Sequence, residues 1–450
     1  MQTYENKLIK EIEELRLNFH STTEKLIKDV KRQDRIMARS DKRQKEDYDN
    51  LQLRLLEVEK LQEAQKDLLD SFIKILAHAI DTKSKYTGSH CERVPKLSLM
   101  LADAANSSEE GIFKDFKLET EDQRREISIA SWLHDCGKVT TPEYVVDKAT
   151  KLETIYNRIH EIRTRFEVIH RDKTIEALQK KLDGGDHIIV DRWEKQEHKN
   201  LQKDFEIVAQ SNLGSEFMTE QLRESILRIS EQTWVRNFDD TIGISHDEKK
   251  RVGSKDSVFP QIEKLLDNKA KHIIPREDFD YKKYKEMGFK TKIPDNLYNL
   301  GEIYNLTVKA GTLNHEERFK IQEHAQVTIM MLEELPFPEY LSNVPLYGGA
   351  HHETLIGTGY PRQLTKEQLP IPSRILAIAD IFESLTATDR PYKEPKKLSE
   401  TITIMNKMAQ KQHIDLDIFK LFLSSGIYIN YSKKYLNTNQ IDFVDLTKYL

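Results

Sequence analysis

WLHDCGK at residues 132–138 and GGAHHETLIGTGYP at residues 348–361 decide how this chain is read. Each sets two adjacent metal-ligating side chains, His134–Asp135 and His351–His352, inside otherwise hydrophobic sequence. Buried imidazoles and carboxylates cost free energy unless they are paired or bind a cation. Working outward, His90 in TGSHCERV, His324 in KIQEHAQV and Asp380 in ILAIADIFESL stand in similar apolar settings that read as helical. His90 or His324 alone would more often be a hydrogen-bonded helix histidine. Asp380, an isolated acid on a hydrophobic helix, would be costly without a cation. All of these groups are nitrogen or oxygen donors and none is a thiolate. That suits hard or borderline divalent ions rather than a structural zinc–thiolate site.

The chain has 450 residues, so two or three folded units are expected. It is 38% hydrophobic and 32% charged, which requires some of it to be solvated helix. With 70 basic against 75 acidic residues and a net charge of −5, general binding to DNA is not expected. The two cysteines, Cys91 and Cys136, argue for a reducing compartment and read most simply as small core residues. There is no apolar run of about 18 residues, and MQTYENKLIK is not a signal peptide, so the chain reads as cytoplasmic, with no membrane span.

Leu8, Ile12, Leu15, Phe19, Leu26 and Ile36 recur at coiled-coil spacing, with Thr22, Asp29 and Gln33 at other seam positions. The seam weakens through the polar stretch Ala38 to Asn50. It resumes with Leu51, Leu55, Val58, Leu61, Leu68, Phe72, Ile75 and Ala79. No proline or glycine precedes Gly88, so helix is the natural reading; a hairpin of two helices is the alternative to a parallel two-chain coil. Residues 70–150 are helical by periodicity. A highly charged region follows, opening with Ile155, Ile159, Ile162, Phe166 and Ile169 on one helical face, with turns at Gly184–Gly185, Gly214 and Asp239 to Gly243. FDYKKYKEMGFKTKIPDN, from Phe279, reads as a short linker.

HDCGK at 134–138, HHETLIGTGYP at 351–361, ADIFESLTATDRPYK at 379–393 and YTGSHCERV from Tyr86 resemble the HD-GYP family of metal-dependent cyclic di-GMP phosphodiesterases, in the family's order. HIDLDIFKLFL from His413 is similar to its C-terminal end. The resemblance covers roughly residues 70–150 and 301–430 and implies an all-α, HD-type helical bundle. On this reading residues 1–75 are a coiled-coil signalling helix, 76–151 and 301–450 the two parts of the catalytic domain, and 152–300 a mostly helical insertion.

The same resemblance implies two divalent metal ions per chain, and the histidine-rich nitrogen and oxygen donors suit iron, manganese or others. His90, His134 and Asp380 would hold one ion with Asp135, and His324, His351 and His352 the other, Asp135 bridging both. A hydroxide activated by the two metals would hydrolyse cyclic di-GMP to pGpG, GMP or both. Lys138, one turn after His134, would stabilise charge on the phosphoryl group or the leaving oxygen. Tyr360 would contact a guanine or ribose, or else pack the loop in place, and Arg390 and Lys393 would take the second phosphate, the alternative being ordinary surface charges. A homodimer through the N-terminal helix and a diguanylate cyclase or sensor partner are also implied.

The sequence departs from the family pattern at several points. Tyr86 stands where some members place a glutamate for a third metal, Ile356 where an aspartate is common, and ESLTATDRPYK is one residue longer. KATKLE lacks the usual proline–glycine turn, and KQHIDLD lacks a glycine before its histidine. None of these removes a presumed ligand. Two other functions stay open: hydrolysis of another cyclic dinucleotide, and a non-catalytic protein that binds the nucleotide or a signalling partner.

Overall fold

The computed structural model describes residues 2–83, 90–214, 217–253, 258–387 and 395–450. Helix α1, Gln2–Asp81, is continuous through the polar stretch 38–50, so the hairpin alternative does not form. Strong helix formers without a breaker account for this. The chain divides into two units, Met1–Phe72 and Ile73–Leu450. In the first unit the seam residues Leu8, Leu15, Phe19, Leu51 and Leu61 are all exposed.

The second unit is built mostly of helices, in chain order α2 (His90–Ser107), α3 (Glu121–Leu133), α4 (Glu143–Val146), α5 (Ile159–Leu182), α6 (His187–Asn212) and α7 (Glu220–Ser230). Next come β1 (Thr233–Arg236), α8 (His246–Val252), β2 (Gln261–Lys264), β3 (Ile273–Pro275), α9 (Tyr281–Glu286) and β4 (Asn296–Asn299). The chain ends with α10 (Glu302–Leu306), α11 (His315–Glu333), α12 (Val344–Gly349), α13 (Ile371–Thr386), α14 (Leu398–Gln410), α15 (Leu416–Ser424) and α16 (Ile427–Tyr435). β1 and β2 pair antiparallel with Thr233 opposite Lys264. β3 and β4 pair likewise with Ile273 opposite Asn299. The fold class is all-α, and these two ribbons are its only sheets among the described residues. No described helix is long and apolar enough to cross a membrane.

Local chemistry sets the helix starts. Thr120 and Gln123 form a capping box on α3, and Asn314 and Glu317 do the same on α11. Helices α2, α3 and α13 to α16 enclose the larger core, with Phe382, Phe419 and Phe422 fully buried in it. Burying each ring contributes roughly 1.5–3 kcal/mol. A second core gathers Leu152, Phe166, Val208, Ile226, Leu265 and Leu306 around the α5–α6 pair.

The region between the two halves of the larger bundle is laced at its base. The Lys151 ammonium, fully buried, donates to the carbonyls of Leu306 and Val308 at 3.0 Å each. Burial brings that amine down to about 8. Lys148 pairs with Glu317 at 2.6 Å, joining residues before α5 to the first turn of α11.

The stretch from Phe279, read from sequence as a linker, is instead a packed arm. Tyr284 and Phe289 are buried against Ile329 of α11, with Phe279, Met287 and Ile293 around them. Aromatic residues spaced irregularly among lysines conceal this packing, because the burial partner lies on a distant helix.

Candidate metal centre

Five segments meet to form one buried cluster. His90 is the first residue of α2, and the side chain of Asp81, at the end of α1, accepts the N–H of Cys91 at 3.0 Å there. Helix α3 stops at Leu133, with His134 as its C-cap. Asp135 has left the helix, at φ −104° and ψ 9°. The HD pair therefore sits on a turn rather than on one helical face, and this frees both side chains to point at one centre. Gly137 makes the turn possible, since a Cβ there would run into the His324 carbonyl. Thr328 of α11 locks it from the other side, donating to the His134 carbonyl at 3.1 Å and accepting the Gly137 N–H at 2.9 Å. His324 is in mid-α11, His351 and His352 lie in the turn after α12, and Asp380 is in mid-α13.

The expected donors come together in overlapping groups: His90, His134 and Asp380; His134, Asp135 and His351; and His324, His351 and His352. Within each group the ligating atoms lie within 4.8 Å of one another. His90 Nε2 stands 3.3 Å from Asp380 Oδ1 and 3.4 Å from Asp135 Oδ2. His134 Nε2 is 3.4 Å from the same Asp135 Oδ2. The other oxygen of Asp135, Oδ1, faces away from these, 3.2 Å from His324 Nε2 and 3.9 Å from His351 Nε2. His352 Nε2 is 3.2 Å from His324 Nε2.

Outer contacts hold each ring by its other nitrogen. His134 Nδ1 bonds the Ser131 carbonyl at 2.8 Å, and His351 Nδ1 the Gly348 carbonyl at 2.6 Å. His324 Nδ1 bonds the Ile321 carbonyl. All three rings therefore turn Nε2 inward. His90 Nδ1 bonds a carboxylate, Glu383, which also takes Arg93 Nε at 2.8 Å. Sequence reading missed Glu383. Its signal was its place one turn after Asp380, on the same face of α13.

The electrostatics divide the cluster. Burial raises the Asp135 carboxyl, but Lys138 and His134 overcome it and hold the group well below the usual carboxylate range. Asp380 is likewise held low against burial by His134 and His90. His90 is raised well above 6.5, since Glu383, Asp135 and Asp380 outweigh its burial. Burial, reinforced by neighbouring imidazoles, brings His351 down to about 3 and His352 well below its ordinary value.

A cation fits this arrangement. Asp135 Oδ1 and His351 Nε2 are buried and meet no hydrogen-bond criterion among the described residues, and a carboxylate oxygen facing the Nε2 atoms of His324 and His351 is expensive unless something positive lies between them.

Lys138 lies at the edge, its ammonium on Asp135 Oδ2, and Asp135 keeps that amine charged against the pull of burial. Lys83 donates to the carbonyls of Lys138 and Val139, tying the end of α1 to the same turn. Tyr360 stacks on His352 with ring centroids 4.7 Å apart and 27° between planes. Gly359 permits this, because a Cβ would meet Glu353 Cα and Thr354 N at 2.5 Å. Arg390, Lys393 and Tyr86 lie outside the described residues.

Comparison with known proteins points the same way. The HD domain family matches residues 261–418, a stretch that holds His324, His351, His352 and Asp380; the fold brings in His90, His134 and Asp135 from outside it. A 3'3'-cGAMP-specific phosphodiesterase of Vibrio cholerae is 33% identical over 32% of this chain and 34% of its own length. A cyclic di-GMP phosphodiesterase of Pseudomonas aeruginosa is 32% identical over 31% of this chain and 30% of its own. One of Thermotoga maritima is 31% identical over 26% and 32%. The chain thus spans about a third of the length of these curated relatives. These matches, added to the motifs and the donor cluster, make the chain similar to HD-domain phosphodiesterases of the HD-GYP type.

Proposed function

We propose that this protein is a metal-dependent phosphodiesterase that hydrolyses cyclic di-GMP to pGpG, GMP or both. The observation that carries the reading is the opposed aim of the two Asp135 oxygens, Oδ2 toward His90 and His134 and Oδ1 toward His324 and His351. One carboxylate so placed can serve two divalent ions, iron or manganese, with His90, His134 and Asp380 completing one shell and His324, His351 and His352 the other. When bound, such a pair supplies Lewis acidity toward a phosphodiester and a water acidified to react near neutral pH. The residues do the rest. Lys138 holds a positive charge beside Asp135 for the phosphoryl oxygens or the leaving oxygen, and Tyr360 presents its ring to a base or ribose. Arg390 and Lys393 take the second phosphate.

A second substrate, 3'3'-cGAMP, is favoured by the names of relatives that match at similar identity. A non-catalytic role is less well supported, since the donor set is complete. The test is turnover of both dinucleotides by protein of measured metal content. No turnover with two ions bound would end the enzymatic reading, and preference for 3'3'-cGAMP would move the substrate.

In this reading residues 1–75 form a parallel homodimeric coil, residues 152–300 are an insertion, and the protein works in the cytoplasm with a sensor or diguanylate cyclase as partner. The apolar seam exposed along α1 supports the coil. Removing residues 1–50 is expected to loosen the dimer in sedimentation while leaving bound metal unchanged; a full-length monomer at micromolar concentration would refute it.

A further inference from the structure

The GTGYP loop is gripped by residues remote from it in the chain. The arm from Phe279 to Ile293 lies along α11, buried through Tyr284 and Phe289, and Gln326 of α11 donates to the Tyr284 hydroxyl at 3.3 Å. From this seat the arm reaches the loop. The Lys290 N–H donates to the Pro361 carbonyl at 2.8 Å. Arg362, next in the loop, sends Nε to the Met287 carbonyl at 3.0 Å and Nη2 to Glu333 of α11 at 2.7 Å, with its guanidinium 5.7 Å from the centre of the Phe289 ring. On the inner side, Glu353 accepts the N–H groups of Arg362 at 2.7 Å and Leu364 at 3.0 Å. Between these two anchorages stands Tyr360, stacked on His352 and donating its own N–H to the His352 carbonyl at 3.2 Å.

We propose that the arm 279–293 positions the substrate loop, and that Arg362 is its principal positioning residue, acting through Tyr360. A glycine-containing loop with no partner would sample many conformations. Here one planar fork joins arm, loop and α11, a task that guanidinium geometry suits and a lysine cannot duplicate. The outcome is a ring held at a fixed height over the imidazole half of the cluster, so a nucleobase meets a surface already in place. Affinity for the substrate is then set from the arm, and the donors are not touched. This rests on the proposed cyclic dinucleotide activity.

The experiment uses the full-length, metal-loaded protein with Arg362→Ala and Arg362→Lys. Hydrogen exchange of residues 353–365, metal content, and KM and kcat for cyclic di-GMP are read together. Expected is faster exchange confined to 353–365, unchanged metal content, and a KM raised about tenfold with kcat within about twofold. Arg362→Lys should fall between wild type and Arg362→Ala, and it carries the same readouts if the alanine variant does not fold. Unaltered loop exchange would overturn the proposal, as would loss of metal or a kcat that falls while KM stays constant. If the wild type turns over no cyclic dinucleotide, the functional reading fails, while the exchange measurement still decides whether the arm holds the loop.

Discussion

The two halves of the donor cluster are built from different materials. Around His90 and His134 the surroundings are ionic: Asp380 and Asp135 Oδ2 lie within 3.4 Å of His90 Nε2, Glu383 holds its other nitrogen, and Lys138 sits at the rim. Around His324, His351 and His352 the donors are imidazoles, and the outer bonds to His324 and His351 come from backbone carbonyls. His90 in the first half is drawn toward its protonated form, whereas His351 and His352 in the second are held neutral. The two halves of the cluster, which meet at Asp135, are therefore chemically unequal. The carboxylate-rich half suits a harder ion, and the imidazole half a borderline one.

The largest effect should come from the shared group. Asp135→Ala is expected to abolish turnover and to deplete both ions in elemental analysis; loss of one ion alone would mean that the halves are independent. Lys138 belongs to the ionic half. Lys138→Ala should lower kcat by about 10²–10³ with both ions retained. Unchanged turnover would return this lysine to a purely structural partner of Asp135. Glu383→Gln tests the outer contact unique to the first half. It should weaken one metal by roughly 10–100-fold in competition with a chelator and leave the other alone. Equal weakening of both would mean that Glu383 serves the two halves alike.

The smallest effect is on protonation in chelator-treated protein. His351, held at about 3 against an ordinary 6.5, stays neutral in the fold, so its contribution to stability is present above about pH 6.5 and is lost as pH falls toward 3. His90 is raised, so its contribution is present below 6.5 and is lost as pH rises through its folded value. Nitrogen-15 NMR of the imidazoles at pH 5 should find His351 neutral and His90 charged. Titration of both together near 6.5 would contradict the contrast.

Much of this was legible from the residues alone. His134–Asp135 and His351–His352 stood out because polar donors in apolar sequence need a reason, and α1 followed from a long run without glycine or proline. The turn that carries Asp135 was not legible, since its stop depends on Gly137 meeting the His324 backbone and on Thr328 closing over it. Glu383 looked like one more helix acid until His90 arrived beside it from 293 residues away. The arm from Phe279 looked like a linker because its partners, Ile329 and Gln326, sit on α11. Strands of three or four residues, such as Ile273–Pro275, are too short for alternation to register.

The order in which the donors are made has a consequence for biosynthesis. His90, His134 and Asp135 leave the ribosome first, and Asp380 leaves last. Until α13 emerges, the ionic half lacks Asp380 and Glu383, two of its three carboxylates, and the loop linking the halves is unclosed. Any ion the cluster takes would then be acquired at the end of folding rather than at its beginning, since ions bind firmly only where the whole shell exists. A nascent chain stalled before α13 would expose six donors with no finished site, a form open to the wrong ion and to proteolysis.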